Sequence, residues 1–164
     1  MKKAKILIVG SGKIANEHLK VLKNIKFYDV RGIFSRKIKN AEAISKKFKI
    51  KNFGDDYKKL IQKIKPDAIF ILVEVSKMYN VTKDIIKFRI PIFIEKPAGL
   101  SFKQCKHLGG LCKSFKVKNM VGLNRRFYSS FLKIKEIINK MGYPRNVVIE
   151  GHERIWNVKN RKKK

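Results

Sequence analysis

Short apolar runs that alternate with amphipathic segments are the feature of this sequence that most constrains its fold. The strand-like runs are KILIV (5–9), YDVRGIF (28–34), AIFILV (68–73), IFI (92–94) and NMVGL (119–123). Helical patterns separate them at 13–23, 38–48, 57–64, 77–88 and 101–115. Continuous apolar runs are typical of strands buried on both faces. The alternation therefore predicts right-handed βαβ crossovers and an α/β fold with a doubly wound parallel sheet.

The pattern changes after residue 123, and we predict three parts. Residues 1–123 form a complete doubly wound domain. Residues 124–158 begin a second α/β domain, with an amphipathic helix at 129–141 and a strand at 147–150, and residues 159–164 (KNRKKK) form a basic tail. In the first domain, helix caps are predicted at Asp55 or Asp56 and at Ser101. The predicted inner side of the first helix includes Ile14, Val21 and Leu22.

Composition bounds the possible partners. The chain of 164 residues is 44% hydrophobic and has a net charge of +29, from 41 Lys and Arg against 12 Asp and Glu. Its lysines are spread along nearly every segment and no nucleic-acid-binding motif is present, so a lysine-rich solvent face is favoured over polyanion binding. No run approaches the roughly 20 apolar residues of a membrane span, and no signal peptide is evident, which predicts a cytoplasmic protein. Cys105 and Cys112 are seven residues apart in one predicted helix, which suits neither a disulfide nor a metal site.

The first strand runs directly into a glycine loop and a helix. The segment GSGKIA (10–15) matches G-x-G-x-x-[G/A]. The first glycine makes a tight turn, the second lets a pyrophosphate approach the backbone, and the final alanine lets helix and strand pack closely. The helix N-terminus then attracts phosphate. The loop predicts dinucleotide binding by Gly10, Ser11, Gly12, Lys13 and Ile14.

The end of the second strand bears on which dinucleotide is bound. NAD-binding sites of this type place a carboxylate there, but this strand ends in Phe34-Ser35-Arg36. A hydroxyl and a guanidinium at Ser35 and Arg36 suit a 2′-phosphate, which favours NADP over NAD. The alternatives are that Arg36 stacks on adenine or points to solvent. Val73, at the carboxyl end of the third strand, is a further cofactor-binding candidate. His18 is predicted to pack against the sheet, with a contact near the cofactor as the alternative.

A charged pair follows the strand at 92–94. Ligands of doubly wound sheets bind beyond the carboxyl ends of the strands, where Glu95 and Lys96 lie. There a lysine can hydrogen-bond a substrate hydroxyl and steady its oxygen during hydride transfer, with Glu95 holding that charge. A salt-bridged strand end followed by a turn at Pro97 explains the same residues. Position alone leaves both interpretations open.

Three segments together resemble the glucose–fructose oxidoreductase/inositol dehydrogenase/MocA (Gfo/Idh/MocA) family. They are GSGKIANEH, IEKPAGLS and GLNRRFYSSF, in matching order and spacing. The resemblance implies a nicotinamide-dependent oxidoreductase of sugars or polyols, with an N-terminal Rossmann domain and a C-terminal α/β domain. It implies that Lys96 is catalytic, that Glu95 lines the cofactor pocket, and that Asn124, Arg125 and Arg126 line the cleft, with Asn124 and Arg125 touching the cofactor.

The sequence departs from that family in two respects. Ser76 and Asn80 stand where the family often has the Pro and His of Thr-Pro-x-x-x-His. Family members are also more than twice as long, and the Asp and His that assist Lys96 lie downstream; neither His107 nor His152 is expected to replace them. We therefore expect a truncated chain that binds cofactor, as a homo-oligomer or with a complementing C-terminal polypeptide. The alternative is a non-catalytic cofactor-sensing or partner-binding module.

Overall fold

The computed structural model describes residues 3–148 and 150. The chain divides into two compact units, Met1–Leu123 and Asn124–Lys164, and each is considered by itself. None of the described helices combines the length and the apolar composition that a membrane crossing requires.

The first unit is built on a parallel sheet. Its strands are β1 (Ala4–Val9), β2 (Tyr28–Phe34), β3 (Asn52–Gly54), β4 (Ala68–Ile71), β5 (Ile92–Ile94) and β6 (Asn119–Val121). The helices are α1 (Lys13–Leu22), α2 (Ile38–Phe48), α3 (Tyr57–Ile64), α4 (Val75–Ile86) and α5 (Phe102–Ser114). The strands lie in the order β3-β2-β1-β4-β5-β6, and every neighbouring pair is parallel. This confirms the predicted doubly wound α/β fold.

The central strand β1 is buried on both faces. Leu7 and Val9 belong to an apolar cluster with residues of α3, α4 and α5, whereas Ile6 and Ile8 belong to a second cluster with residues of α1 and α2. Because side chains alternate along a strand, the continuous apolar run serves both cores at once. The carboxyl ends of all six described strands consequently share one edge of the sheet.

The sequence pattern predicted the helix caps correctly, but it predicted the inner side of α1 only in part. Asp56 caps α3, since its side chain accepts from the backbone N–H groups of Lys58 and Lys59. Ser101 caps α5 in the same way through Gln104. The predicted inner side of α1 is wrong at Ile14 and Val21, which are exposed. The helix instead turns Ala15, Leu19 and Leu22 inward, because the small Ala15 lets it lie close to the sheet.

Strand β3 was not predicted, because three residues that include a polar Asn and a Gly carry no strand pattern. It pairs with the end of β2 at the edge of the sheet.

The second unit contains, within its described residues, a 3-10 helix (Asn124–Phe127) and α6 (Ser129–Met141). Phe131, Ile134 and Ile137 of α6 are exposed. The strand predicted at 147–150 is wrong at Val147, Val148 and Glu150, which lie in no regular element; position 149 lies outside the described residues. A strand requires a hydrogen-bonded neighbour, and none of the six described strands pairs with this segment.

Candidate functional site

A cleft of about 770 Å³ lies in the first unit beyond the carboxyl ends of β1, β2 and β4. It is lined by residues 10–14, 34–37 and 72–74, with Asn40, Tyr57, Lys77, Asn80 and Val81. The fold thus brings together the predicted residues Gly10, Ser11, Gly12, Lys13, Ile14, Ser35, Arg36 and Val73. This is the position at which open α/β sheets bind their ligands.

Gly10 is required by the protein itself. Its φ of +128° is a conformation that L side chains rarely adopt, and an added Cβ would overlap the backbone carbonyl of Leu72. The Gly10 N–H donates to the Phe34 carbonyl (3.0 Å). The chain therefore turns sharply between the ends of β2 and β4, and only glycine fits the turn.

Gly12 is different, because nothing in the described part of the chain requires a glycine there. Its φ of −77° and ψ of −174° are open to any residue. Apart from its two chain neighbours, no atom of the described residues would lie within 4 Å of an added Cβ. Gly109 and Gly110 also have free space, but they lie on α5 and do not line the cleft. A group that must approach the backbone of Gly12 from the cleft accounts for the missing side chain, and this fits a dinucleotide pyrophosphate.

The N-terminus of α1 is open toward such an anion. Gly12 is its N-cap and provides no side-chain hydrogen bond, and the first turn contains no acidic residue. The first N–H groups of a helix have no helical partner, and together they carry a partial positive charge. Lys13 and the three other cations of the lining, Arg36, Lys37 and Lys77, add to this potential.

Two side-chain contacts join the elements around the cleft. The Ser11 hydroxyl donates to the Ser35 Oγ (2.6 Å), which ties the glycine loop to the end of β2. The Arg36 guanidinium lies 3.3 Å from the Glu74 carboxylate, and both side chains are more than three-fifths exposed. Glu74 follows β4, so this pair links the segments after β2 and β4.

One wall of the cleft is aromatic. Phe34 and Tyr57 contact edge to face with ring centroids 5.1 Å apart. The Tyr57 hydroxyl donates to Asp84 (3.3 Å). Burial, followed by the charge of Asp84, raises the pKa of Tyr57 to about 12. The ring is thereby held in its neutral, hydrogen-bonded form.

Glu95 and Lys96 lie at the same edge of the sheet but do not line the cleft. The Glu95 N–H donates to the Ile71 carbonyl (3.0 Å). The Glu95 carboxylate is 3.2 Å from the Nε2 of His18 and is only 15% exposed. Lys96 is exposed, and within the described part of the chain its side chain has no hydrogen-bond or ion-pair partner. The Glu95 partner is thus His18, and not its neighbour Lys96.

His18 packs against the sheet, as predicted. Its ring meets the edges of Phe70 and Phe93 at centroid distances of 6.0 and 5.3 Å. Gly122, at the end of β6, is also part of this contact: a Cβ there would lie 2.8 Å from the Phe93 ring and 3.1 Å from the Glu95 carboxylate. His18 and Glu95 therefore pack among α1, β5 and the end of β6.

Other candidate residues lie outside the part of the first unit that forms the cleft. Asn124, Arg125 and Arg126 belong to the 3-10 helix of the second unit, so their predicted contacts stay predictions. His107 lies on α5 with its Nδ1 2.7 Å from the Tyr79 hydroxyl. His152 lies outside the described residues. Cys105 is exposed and Cys112 is buried, and burial raises the pKa of the Cys112 thiol.

Eight residues that line the cleft were not predicted as site residues: Phe34, Lys37, Asn40, Tyr57, Leu72, Glu74, Lys77 and Val81. Glu74 had a signal, because it directly follows an apolar strand of a parallel sheet. Tyr57 and Val81 had none, because each occupies an inner position of a helix and resembles an ordinary core residue. Asn80 was noted as a departure from the family pattern, and it lines the cleft.

The chain is similar in sequence or in fold to several known proteins. The chain is 26% identical over 148 residues to YrbE, an uncharacterized oxidoreductase of Bacillus subtilis, covering 89% of this chain but 43% of YrbE. Among solved structures, it is similar to scyllo-inositol dehydrogenase from Lactobacillus casei with bound NAD(H) and scyllo-inositol (TM-score 0.77, 22% identity, 85% of this chain and 42% of that one). It is also similar to an oxidoreductase from Agrobacterium radiobacter in complex with NAD+, L-tartaric acid and magnesium (TM-score 0.78, 19% identity, 85% and 41%).

The chain thus spans about two-fifths of the length of these relatives. The fold likeness agrees with the doubly wound sheet, and the predicted family is confirmed by a family model that matches residues 4–123, which include the first two of the three segments. This protein belongs to the Gfo/Idh/MocA family, an oxidoreductase family with an NAD-binding Rossmann fold.

Proposed function

We propose that the cleft binds a nicotinamide adenine dinucleotide, and that the chain supplies the cofactor-binding part of an oxidoreductase of sugars or polyols. The observation that carries the proposal is Gly12, which lines the cleft and whose missing side chain is not explained by any described residue. The backbone of residues 10–14 and the N-terminus of α1 would hold the pyrophosphate. Val73 and the aromatic wall of Phe34 and Tyr57 would offer apolar contact to the adenosine end.

The charges of the cleft favour NADP within this proposal. Its lining carries four cations, Lys13, Arg36, Lys37 and Lys77, and one carboxylate, Glu74. NADP brings one more phosphate than NAD, and Arg36 is suited to bind it in bidentate fashion. The family is NAD-binding, so NAD remains a ligand of the same cleft.

The chemistry of the proposed reaction falls to Lys96. A bound nicotinamide would donate or accept the hydride. The exposed Lys96 ammonium, at the carboxyl end of β5, would hydrogen-bond the substrate oxygen and stabilise the charge that develops on it. Glu95 and His18 would fix the strand end that carries this lysine. The neighbour from Lactobacillus casei, which contains scyllo-inositol, supports a polyol as the substrate class.

Asn124 and Arg125 are proposed to contact the cofactor from the second unit. We further propose that the chain acts as a homo-oligomer or with a complementing polypeptide, because α6, taken by itself, exposes Phe131, Ile134 and Ile137. Molar mass from light scattering at several concentrations tests this: a monomer at every concentration contradicts the homo-oligomer.

Titration of the purified chain with NADH and NADPH, followed by nicotinamide fluorescence and calorimetry, tests the cofactor proposal. We expect saturable binding at one site. Gly12→Val should abolish binding without loss of stability, because an added Cβ borders the cleft and, apart from its chain neighbours, meets no described atom within 4 Å. The matched control is Gly109→Val, the same change at a glycine with equal free space outside the cleft. Folded wild-type protein that binds neither dinucleotide would refute the proposal, as would equal binding by Gly12→Val and wild type.

A further inference from the structure

The glycine loop does not explain why Arg36 and Glu74 form an ion pair in the cleft. The two residues are 38 positions apart, both line the cleft, and their charged groups are 3.3 Å apart. Arg36 follows β2, where a Rossmann fold selects between a ribose 2′-hydroxyl and a 2′-phosphate. Glu74 follows β4, and its side chain meets Arg36 at this position near the end of β2.

The placement of Glu74 is not explained by its own helix. Glu74 is the N-cap of α4, yet its carboxylate makes no capping hydrogen bond. Its described partner is the Arg36 guanidinium. Since both side chains are exposed, the pair contributes little to stability, and a structural role alone does not account for it.

The donors and acceptors of the cleft define what Glu74 can do. A ribose 2′-hydroxyl is held best by an ionised acceptor, and β2 ends without one. Arg36 and Lys37 are donors only. The Ser35 Oγ, which accepts from Ser11, offers only a neutral hydroxyl oxygen. Glu74 is the one carboxylate among the residues that line the described cleft, and it lies beside Arg36.

We propose that Arg36 and Glu74 form a two-sided specificity element that lets the cleft accept both NAD and NADP. The Glu74 carboxylate accepts the ribose 2′-hydroxyl of NAD and so replaces the acidic residue that β2 lacks. The Arg36 guanidinium binds the 2′-phosphate of NADP, and Glu74 opposes this by competing for Arg36 and by like-charge repulsion. The inference rests on the proposed binding of a dinucleotide in this cleft.

Binding constants of NADH and NADPH test it in the full chain and in Glu74→Gln, which removes the charge and keeps the shape. We expect about a tenfold loss of NADH affinity, as for one charge-assisted hydrogen bond, together with a gain in NADPH affinity. Arg36→Gln should act in the opposite sense and weaken NADPH binding by about tenfold or more. The matched control is Glu42→Gln, which removes a carboxylate paired with Lys46 on α2 and outside the cleft.

The possible results distinguish a failure of the specificity element from a failure of dinucleotide binding itself. Wild-type protein that binds neither dinucleotide overturns both. Wild-type binding with an NADH-to-NADPH affinity ratio that Glu74→Gln leaves unchanged, or that Glu42→Gln shifts equally, overturns the specificity element alone. Asn40 also lines the cleft and carries a neutral amide acceptor. If Asn40→Ala lowers NADH affinity and Glu74→Gln does not, the acceptor is Asn40 and the inference is wrong.

Discussion

The two functional regions at the carboxyl edge of the sheet are built in different ways. The cleft beyond β1, β2 and β4 is shaped by backbone: a glycine that the turn requires, a second glycine that borders open space, and an uncapped helix N-terminus. The end of β5 is shaped by side chains, with Glu95 held against His18 and Lys96 exposed. Backbone geometry is complete before any ligand arrives, whereas an exposed lysine is positioned by what it contacts. The difference predicts that a change at Gly10 alters folding, that a change at Gly12 alters binding, and that changes at Lys96 alter neither.

Gly10→Val should have the largest effect. A side chain at a φ of +128° is strained, and its Cβ would overlap the Leu72 carbonyl. The expected loss in the free energy of unfolding is roughly 2–6 kcal/mol, from backbone strain and overpacking together. Urea unfolding measures it, with Gly12→Val as the control that should stay near wild type. Equal stability of the two variants would show that the two glycines do not differ as the structure implies.

The contact between His18 and Glu95 should contribute a smaller amount to stability. In a double-mutant cycle of His18→Phe and Glu95→Gln, we expect a coupling energy of about 0.5–1.5 kcal/mol, typical of one hydrogen bond. His18→Phe keeps an aromatic ring against Phe70 and Phe93, so the cycle isolates the polar contact. Thermal or urea unfolding of the four proteins gives the value. Simple additivity would mean that the two side chains pack independently.

Tyr57 should make the stability of the cleft wall sensitive to alkaline pH. Its folded-state pKa of about 12 lies above the ordinary tyrosine value of 10.0, so folding favours the protonated form. The stabilisation is complete below pH 10 and is lost as the pH rises from 10 to about 12. Urea unfolding across this range should show a steeper loss for wild type than for Tyr57→Phe.

Tyr143 is 96% exposed and provides the control for alkaline titration. Tyr143→Phe should leave the pH dependence of wild-type stability unchanged. If Tyr57→Phe and wild type lose stability in parallel, the hydroxyl of Tyr57 is not held as described.

Lys96→Met should have the smallest effect on folding and cofactor binding. The exposed side chain has no described partner, so we expect a change in the free energy of unfolding within about 0.5 kcal/mol. Dinucleotide affinity should stay within about twofold, a difference of less than 0.5 kcal/mol. Lys103→Met, at an exposed position of α5, is the matched control. A large loss of cofactor affinity at Lys96 alone would place this lysine in the binding region and remove the contrast between the two.

The local sequence pattern predicted most of the strands and helices of the first unit. Runs such as residues 5–9 pack on both faces of the sheet, so consecutive apolar residues are enough to predict a strand. The glycine loop follows this strand directly along the chain. The inner face of α1 was misjudged because Ala15, a weak apolar signal, sets the closest approach. The pair of Arg36 and Glu74 was beyond prediction, since 38 residues and two strand crossovers separate its members. The aromatic wall depends in the same way on how α3 sits over β2.

Helix α1 also sets the distance between the two regions, because it contacts both of them. Gly12 lies at its N-cap beside the cleft, and His18, which touches Glu95, follows six residues later on the same helix. At 1.5 Å per residue, this fixes a spacing of about 9 Å along the helix axis. One residue inserted between them would turn His18 by about 100° around the axis, away from Glu95. The number of residues between Gly12 and His18 in this one helix thus fixes the separation between the glycine loop and the strand end that carries Lys96.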